Sequence, residues 1–372
     1  MKELLIKTRG DQPALALMKD RRLLEYWPLT QDTKWASGAI YKGRVCRVMN
    51  SLNALFVTLA PGVEGFLPFL EVRSEQPRPG EAVLVQIKRP PQGKKAAYLT
   101  QDISLPGRYC MLLPYSDYAH ASKRAAHRQA MKRRAQQLRP SCMGLVLRSK
   151  AELAQDAEIK AEIARLQSDW DELMQKESAS SAPALLRPAP KVLDQLLMDE
   201  EELPSRVITD DESAAKGLPF PSVIHSDPFS LYNVLTQLKQ ALRRRVYLPS
   251  GGLMVLDPTE AALVIDVNTA KDSKRAGDLL LRTNLEAAAE IARLLRLRRA
   301  GGIILIDFID MDTDAQREQV QKALEMELAQ DRVKTEILGF TRLGLMEMTR
   351  KRADAPLPAE RLCKEETTAD DA

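Results

Sequence analysis

Two carboxylates and an amide have the types and spacing for chemistry. Asp266 and Asn268 lie two apart in the apolar stretch "VIDVNTAK" (264–271), and Asp307 interrupts a second one, "GGIILIDFID" (301–310), with Asp310 close behind. Strand side chains alternate in direction, so Asp266 and Asn268 share a face of one strand. Val264, Ile265 and Val267 make that strand read as buried, where an ionised carboxylate without a partner is expensive. Two such aspartates at the ends of neighbouring strands would repel, and a divalent cation relieves this. An all-oxygen donor set suits Mg²⁺ or Mn²⁺. Asn268 could orient a ligand or hold a water of the metal. A cation on one or two carboxylates with open positions equips a site for phosphoryl transfer, because it activates water and stabilises charge on phosphate oxygens. The competing reading is a pair of strand-end aspartates that cap a helix or turn.

Other chemistries lack their residues. There is no GxxxxGK[ST] phosphate loop, no GxSxG nucleophile elbow and no zinc motif. His120, His127 and His225 lie in weakly structured or basic surroundings and read as non-catalytic. The four cysteines (46, 110, 142 and 363) form no CxxC pair and suit neither a zinc site nor a disulfide framework, which favours a reducing cytoplasm. The start, "MKELLIKTRGDQ", has no long apolar signal segment, and no apolar run reaches the roughly 18–20 residues of a membrane span.

The carboxylates need two strands side by side. From Leu253 the pattern reads strand, turn at "DPTE", strand 262–267, helix about 278–299, strand 302–309, helix about 314–329, strand 333–338. A helix between the two Asp strands suits a βαβ crossover, which would bring Asp266 and Asp307 to the carboxyl edge of an α/β sheet. Upstream, "HSDPFSLYNVLTQLKQALRRRV" (225–246) reads as one helix with Asp227 as N-cap and Pro228 as its first residue. Ile159, Ile163, Leu166, Trp170 and Leu173 recur at helical spacing within 151–177. Residues 122–138 read as a basic helix and 142–149 as a strand.

Residues 36–104 read as five short strands punctuated by Gly and Pro, the pattern of an OB-type barrel. In "ALFVTLA", Leu55, Val57 and Leu59 share one face, which leaves Phe56 on the other. Phe66 lies near a turn, and Lys95 is placed for a phosphate contact. Outward aromatics on such a barrel stack single-stranded bases; the alternative is two phenylalanines in a small core. The net charge of the 372-residue chain is only +4, but basic residues cluster at 119–139, 293–299 and 349–352. These are either a polyanion surface or solvated helix faces.

The stretches "LPSGGLMVLDPTEAALVIDVNTAK", "TNLEAAAEIARLLRLRRAGGIILIDFIDM" and "LGFTRLGLMEMTRKR" closely resemble the catalytic region of the RNase E/G family of bacterial endoribonucleases. "AIYKGRVCRVMNSLNALFVTLAPGVEGFLPFLEV" is similar to that family's S1-type RNA-binding barrel, and "LTQDISLPGRYCMLLP" and "MGLVLRS" to the segments that follow it. The resemblance implies that Asp266 and Asp307 bind Mg²⁺ and that Asn268 assists at the scissile phosphate. It also implies that Phe56, Phe66 and Lys95 contact RNA. Arg148 and Ser149 then match the pocket reading a 5′-monophosphate, where the family usually has Arg-Thr. Serine keeps the hydroxyl donor.

The fold class expected is therefore a multi-subdomain α/β protein. An RNase H-like subdomain would form from 1–35 and 181–247. An S1-type OB barrel (36–104) and a 5′-sensor region (105–180) would be inserted in it, followed by a DNase I-like catalytic subdomain (248–352) and a flexible tail (353–372). The family's CPxC zinc link and small C-terminal domain are absent, so no zinc is expected and the oligomeric state is left open. The sensor loop "KAELAQD" lacks the usual small residues, which would weaken 5′-monophosphate preference. The expected function is Mg²⁺-dependent cleavage of single-stranded RNA in the cytoplasm, in rRNA maturation and mRNA decay, with no membrane partner. The alternative is a catalytically weak or inactive RNA-binding relative.

Overall fold

The computed structural model describes the chain except for residues 11, 30–32, 74–75, 92–94, 201, 270–276, 353–355 and 358–372, and the side chains of 277 and 278. Ala270 and Lys271 of the first Asp stretch, and nearly all of the expected tail with Cys363, lie outside the described residues. The chain divides into two units: residues 31–200, and residues 1–30 together with 201–372.

In the 31–200 unit, five strands close into a barrel. Its spatial order is Ile40–Met49, Ala54–Ala60, Val63–Pro68, Ala97–Thr100 and Ala82–Arg89, and the last pairs back onto the first. All neighbours are antiparallel except Val63–Pro68 with Ala97–Thr100. Two glycines permit the tight curvature: a Cβ on Gly43 would sit 2.3 Å from Val57 Cγ1, and one on Gly65 would sit 2.5 Å from Leu99 Cδ1. Leu55, Val57 and Leu59 face the barrel core, as their alternation predicts. A second sheet runs Ala119–Ala121, Gly144–Leu147, Cys110–Leu113, Leu105–Pro106. The helix Asp156–Ala179 buries its Ile159, Ile163, Leu166, Trp170 and Leu173 stripe, in the cluster that also holds Leu112, Leu145 and Leu147.

The other unit holds two sheets. In the five-stranded one, Lys2–Lys7 pairs in parallel with Arg206–Thr209 and antiparallel with Ala14–Lys19. The six-stranded one has the order Arg245–Tyr247, Leu253–Pro258, Ala262–Asn268, Gly302–Asp307, Met346–Arg350, Thr335–Phe340. Its one parallel pair is Ala262–Asn268 with Gly302–Asp307. The helix Gly277–Arg298 connects them, which is the crossover expected from sequence. Ile265, Val267, Ile304, Ile306, Met346 and Met348 share a core with Ala287, Ile291 and Leu294 of that helix and with Val320 and Leu324 of the helix Asp314–Leu328. The latter helix starts on a Thr313/Gln316 capping box.

Three expectations change. The segment 225–246 is not one helix. It is a short 3₁₀ turn (Ser230–Tyr232), a helix (Val234–Leu242) and an edge strand (Arg245–Tyr247). Asn233 stands between turn and helix at φ 49°, and Asp227, instead of capping the long helix, accepts from Phe229 N and Lys7 Nζ. The strand of Asp266 is buried on one face only: Val264 is 36% exposed and Asp266 is exposed, so its charge stays in water and carries little desolvation cost. The basic clusters at 293–299 and 349–352 are largely structural. Arg296 and Arg332 both pair with buried Glu25, Arg293 pairs with Glu290, Arg299 donates to the Tyr26 carbonyl, and buried Arg350 pairs with Asp331 at 2.8 Å. Met346–Arg350, a strand the periodicity did not predict, pairs antiparallel with Gly302–Asp307 and Thr335–Phe340 and buries Met346 and Met348 in the core.

Candidate active site

The parallel register sets Asp266 directly opposite Asp307, on strands about 4.8 Å apart. Both side chains are exposed, on the sheet face opposite the helices, while Ile265 and Ile306 beside them are fully buried. Asn268 shares the Asp266 face and its Nδ2 donates to Asp266 Oδ2 at 2.7 Å. Partial desolvation, then the charges of Asp266 and Asp310, push the Asp307 carboxyl above its ordinary value. Crowded negative charge is what a cation would relieve. Among the described residues no group of three or more His, Cys, Asp or Glu is placed to hold a metal ion. Two carboxylates and an amide on an open face fit a hard ion that keeps several of its own waters, as Mg²⁺ does.

The helix Gly277–Arg298 holds the loops around this pair. Asn284, fully buried, donates from Nδ2 to the Ile309 carbonyl at 2.8 Å and accepts from Ile309 N at 3.1 Å. It thereby pins the segment between Asp307 and Asp310. Two residues on, Glu286 accepts from Ser250 N at 2.8 Å. Gly252 fits because a Cβ there would lie 2.7 Å from Thr283 Cγ2 and 3.1 Å from the Asn268 carbonyl. Asn284 was missed from sequence; an amide in line with the apolar Ala287, Ala288 and Ile291 of "TNLEAAAEIA" was the available signal.

On the barrel, Phe56 and Phe66 are register partners, and so are Phe66 and Tyr98. Arg47 is opposite Phe56 and Arg89 opposite Tyr98. The result is a cross-strand row, Arg47–Phe56–Phe66–Tyr98–Arg89. Phe56 meets Phe66 edge-on at 5.8 Å, and the Arg47 guanidinium lies 4.2 Å from the Phe56 ring centre. Phe66 stands within a strand rather than at a turn, Lys95 is exposed, and the residues sequence reasoning missed here are Tyr98 and the two arginines.

Comparison with known proteins gives the pair its context. Residues 104–353 match the model of the Ribonuclease E/G family. The chain belongs to the ribonuclease E/G family. It is 32% identical to Ribonuclease G of Escherichia coli (strain K12) over 393 residues, covering 94% of this chain and 80% of that protein. It is 31% identical to Ribonuclease G of Haemophilus influenzae, again over 94% of this chain and 79% of that protein. Ribonuclease E of Synechocystis sp. is 34% identical over 85% of this chain and 52% of its own length. Membership makes this ribonuclease E/G chain an endoribonuclease by enzyme class. No helix of the described residues is long and apolar enough to cross a membrane.

In this ribonuclease E/G chain, Arg148 is not an open fork. Its Nη1 donates to the Gly107 carbonyl at 2.8 Å and its Nη2 pairs with Asp199 at 2.5 Å. Ser149 opens the 3₁₀ turn Ser149–Glu152, and Lys150 donates to the Met198 carbonyl. Nearby, Glu162 accepts from three successive backbone amides, Arg108, Tyr109 and Cys110, at 2.7–3.0 Å. Burial and that carboxylate push the Cys110 thiol well above its usual range. Asp199 and Glu162 were invisible from sequence because each pairs across more than 50 residues.

Proposed function

We propose that this endoribonuclease cuts single-stranded RNA in a Mg²⁺-dependent hydrolysis at Asp266, Asn268 and Asp307. The observation that carries it is the register of Asp266 opposite Asp307 on an exposed face, with Asn268 bonded to Asp266. Mg²⁺, when bound, lowers the pKa of water and neutralises charge on the phosphate. Asp266 and Asp307 would hold it, and Asn268 keeps the Asp266 carboxylate in one orientation. In the hydrolysis, water adds its oxygen to phosphorus, the bond to the 3′ oxygen breaks, and a proton ends on that oxygen, giving a 5′-phosphate and a 3′-hydroxyl.

The aromatic row at Phe56 and Phe66, with Lys95, would stack and steer the strand. Arg148 and Ser149 would read a 5′-monophosphate once Asp199 is displaced. The 2–28 and 206–224 sheet is read as RNase H-like, and the six-stranded sheet as DNase I-like. Ribosomal RNA maturation and messenger decay in the cytoplasm are the roles this reading favours.

The test is cleavage of a 5′-monophosphorylated single-stranded RNA oligonucleotide by the purified chain, with and without Mg²⁺, beside matched DNA. Mg²⁺-dependent scission abolished in Asp266→Asn/Asp307→Asn supports the reading. RNA left intact, or cut equally by the double variant, refutes it and leaves an RNA-binding relative.

A further inference from the structure

The edge strand Arg245–Tyr247 lies in register with the carboxylate pair. Tyr247 is opposite Leu253, which is opposite Asn268. Arg245 is opposite Val255, which is opposite Asp266, which is opposite Asp307. Between them Val246 is buried with Met254 and Val267 in the helix-facing core. Alternation therefore sends Arg245 and Tyr247 to the face that carries Asp266, Asn268 and Asp307. Two strand spacings separate each from its counterpart, about 10 Å, the distance to a neighbouring nucleotide rather than to the reacting one.

Both side chains are open. Tyr247 is 75% exposed, an unusual state for an aromatic residue of this size. The Arg245 side chain is exposed and has no hydrogen bond or ion pair among the described residues, whereas its neighbour Arg244 is held by both carboxylate oxygens of Asp257. No strand covers the far side of Arg245–Tyr247 among the described residues. Its approach is fixed from behind: Arg298 donates to the Ala241 carbonyl at 2.7 Å and to the Arg243 carbonyl at 2.5 Å. Burial, with Arg293 adding to it, pushes that guanidinium down to about 10.

We propose that Arg245 and Tyr247 form a nucleotide subsite beside the carboxylate pair, Tyr247 stacking on one base and Arg245 holding a phosphate of the same single strand. A flat π-face next to a free cation supplies the two contacts that single strands take. The row Arg245–Val255–Asp266–Asp307 otherwise shows a polyanion only negative charge, and Arg245 is its one positive group. A protein partner would find two like charges in the centre of its footprint. The inference rests on the reading of Asp266 and Asp307 as the cleavage site.

The experiment uses the full chain with Tyr247→Ala, Tyr247→Phe and Arg245→Ala. It reads KM, kcat, the cleavage positions on a mixed-sequence RNA, and RNA affinity by fluorescence anisotropy. Tyr247→Ala should raise KM about tenfold, the scale of one lost stacked base, with kcat little changed and cleavage positions redistributed. Tyr247→Phe keeps the ring and should restore the wild-type pattern. Arg245→Ala should lower the slope of log affinity against log salt by about 0.7, one phosphate contact on a single strand. Unchanged KM, positions and affinity in Tyr247→Ala overturn the subsite. Cleavage that survives Asp266→Asn/Asp307→Asn overturns the underlying site reading instead, and the affinity arm still decides the subsite. A concentration-dependent dimer of the wild type that Tyr247→Ala abolishes, with RNA affinity intact, assigns the face to a second copy and overturns the proposal.

Discussion

The Asn268 amide donates to the Asp266 carboxylate at 2.7 Å, so the residue two positions downstream braces the one before it. Removing that brace leaves both charges of the pair in place. Asn268→Ala should therefore slow single-turnover cleavage by about 10- to 100-fold, the span of one lost hydrogen bond to a charged group. The RNA affinity should hardly move. An unchanged single-turnover rate would remove Asn268 from the site.

Like charges directly opposite on neighbouring strands destabilise a sheet by a few tenths to ~1 kcal/mol. Without metal, Asp307→Asn should therefore melt slightly higher than the wild type while losing cleavage. The sign of its pH dependence follows from the raised Asp307 carboxyl. A carboxyl raised in the fold favours the folded chain below the ordinary carboxylate value and loses that contribution as pH rises through the folded value. The advantage of the variant, measured in chelator, should be absent at low pH and grow as pH climbs out of the carboxylate range. An advantage that shrinks with rising pH contradicts the crowding of Asp266, Asp307 and Asp310.

A 5′-phosphate can take the Arg148 fork only by displacing the Asp199 carboxylate now on Nη2. Asp199→Asn weakens the competitor without touching Arg148. The rate ratio between 5′-monophosphate and 5′-hydroxyl RNA should rise about fivefold, for a partly exposed pair worth about 1 kcal/mol. Equal ratios in the two proteins would mean that Arg148 is simply a fold contact.

Phe66 touches both Phe56 and Tyr98, with ring centres 5.8 and 6.1 Å away. Phe66→Ala should cost more RNA affinity than Phe56→Ala, by roughly 1–3 kcal/mol per base lost from the row. Anisotropy titrations at fixed salt rank the two, and the reverse order would move the stacking platform off Phe66.

Buried Asp331 pairs with buried Arg350 at 2.8 Å, and Arg350 also donates to the Ala300 carbonyl. Asp331→Ala strands a cation in the core and should destabilise the 1–30 and 201–372 unit by about 3–5 kcal/mol. A urea midpoint close to wild type would show the pair to be dispensable.

Sequence periodicity located the two Asp strands, the crossover helix and the long Asp156–Ala179 helix because each follows one period over its whole length. It failed at 225–246, where an apolar helical spacing runs through Asn233 at positive φ and then through Arg245–Tyr247, whose alternation is only three residues long. It also took Val264 as core, since one-sided and two-sided burial look alike in a short apolar run. Charge clusters misled for a different reason. The partners of Arg296 and Arg350 are Glu25 and Asp331, and no local pattern pairs residue 296 with residue 25. Asp266, Asn268 and Asp307 were legible by type, and the placement of Asp266 opposite Asp307 came from the parallel register alone.

That register ties the exposed carboxylate pair to the packing of the core beneath it. A strand's two faces differ by one residue, so a slip of Gly302–Asp307 by a single position would turn Asp307 inward and Ile306 outward. The same slip would break the core and disarm the site at once. A copy mispaired in this way would bury the Asp307 carboxylate and expose Ile306 together, so the geometry of the carboxylate pair and the integrity of the sheet core stand or fall on one strand register.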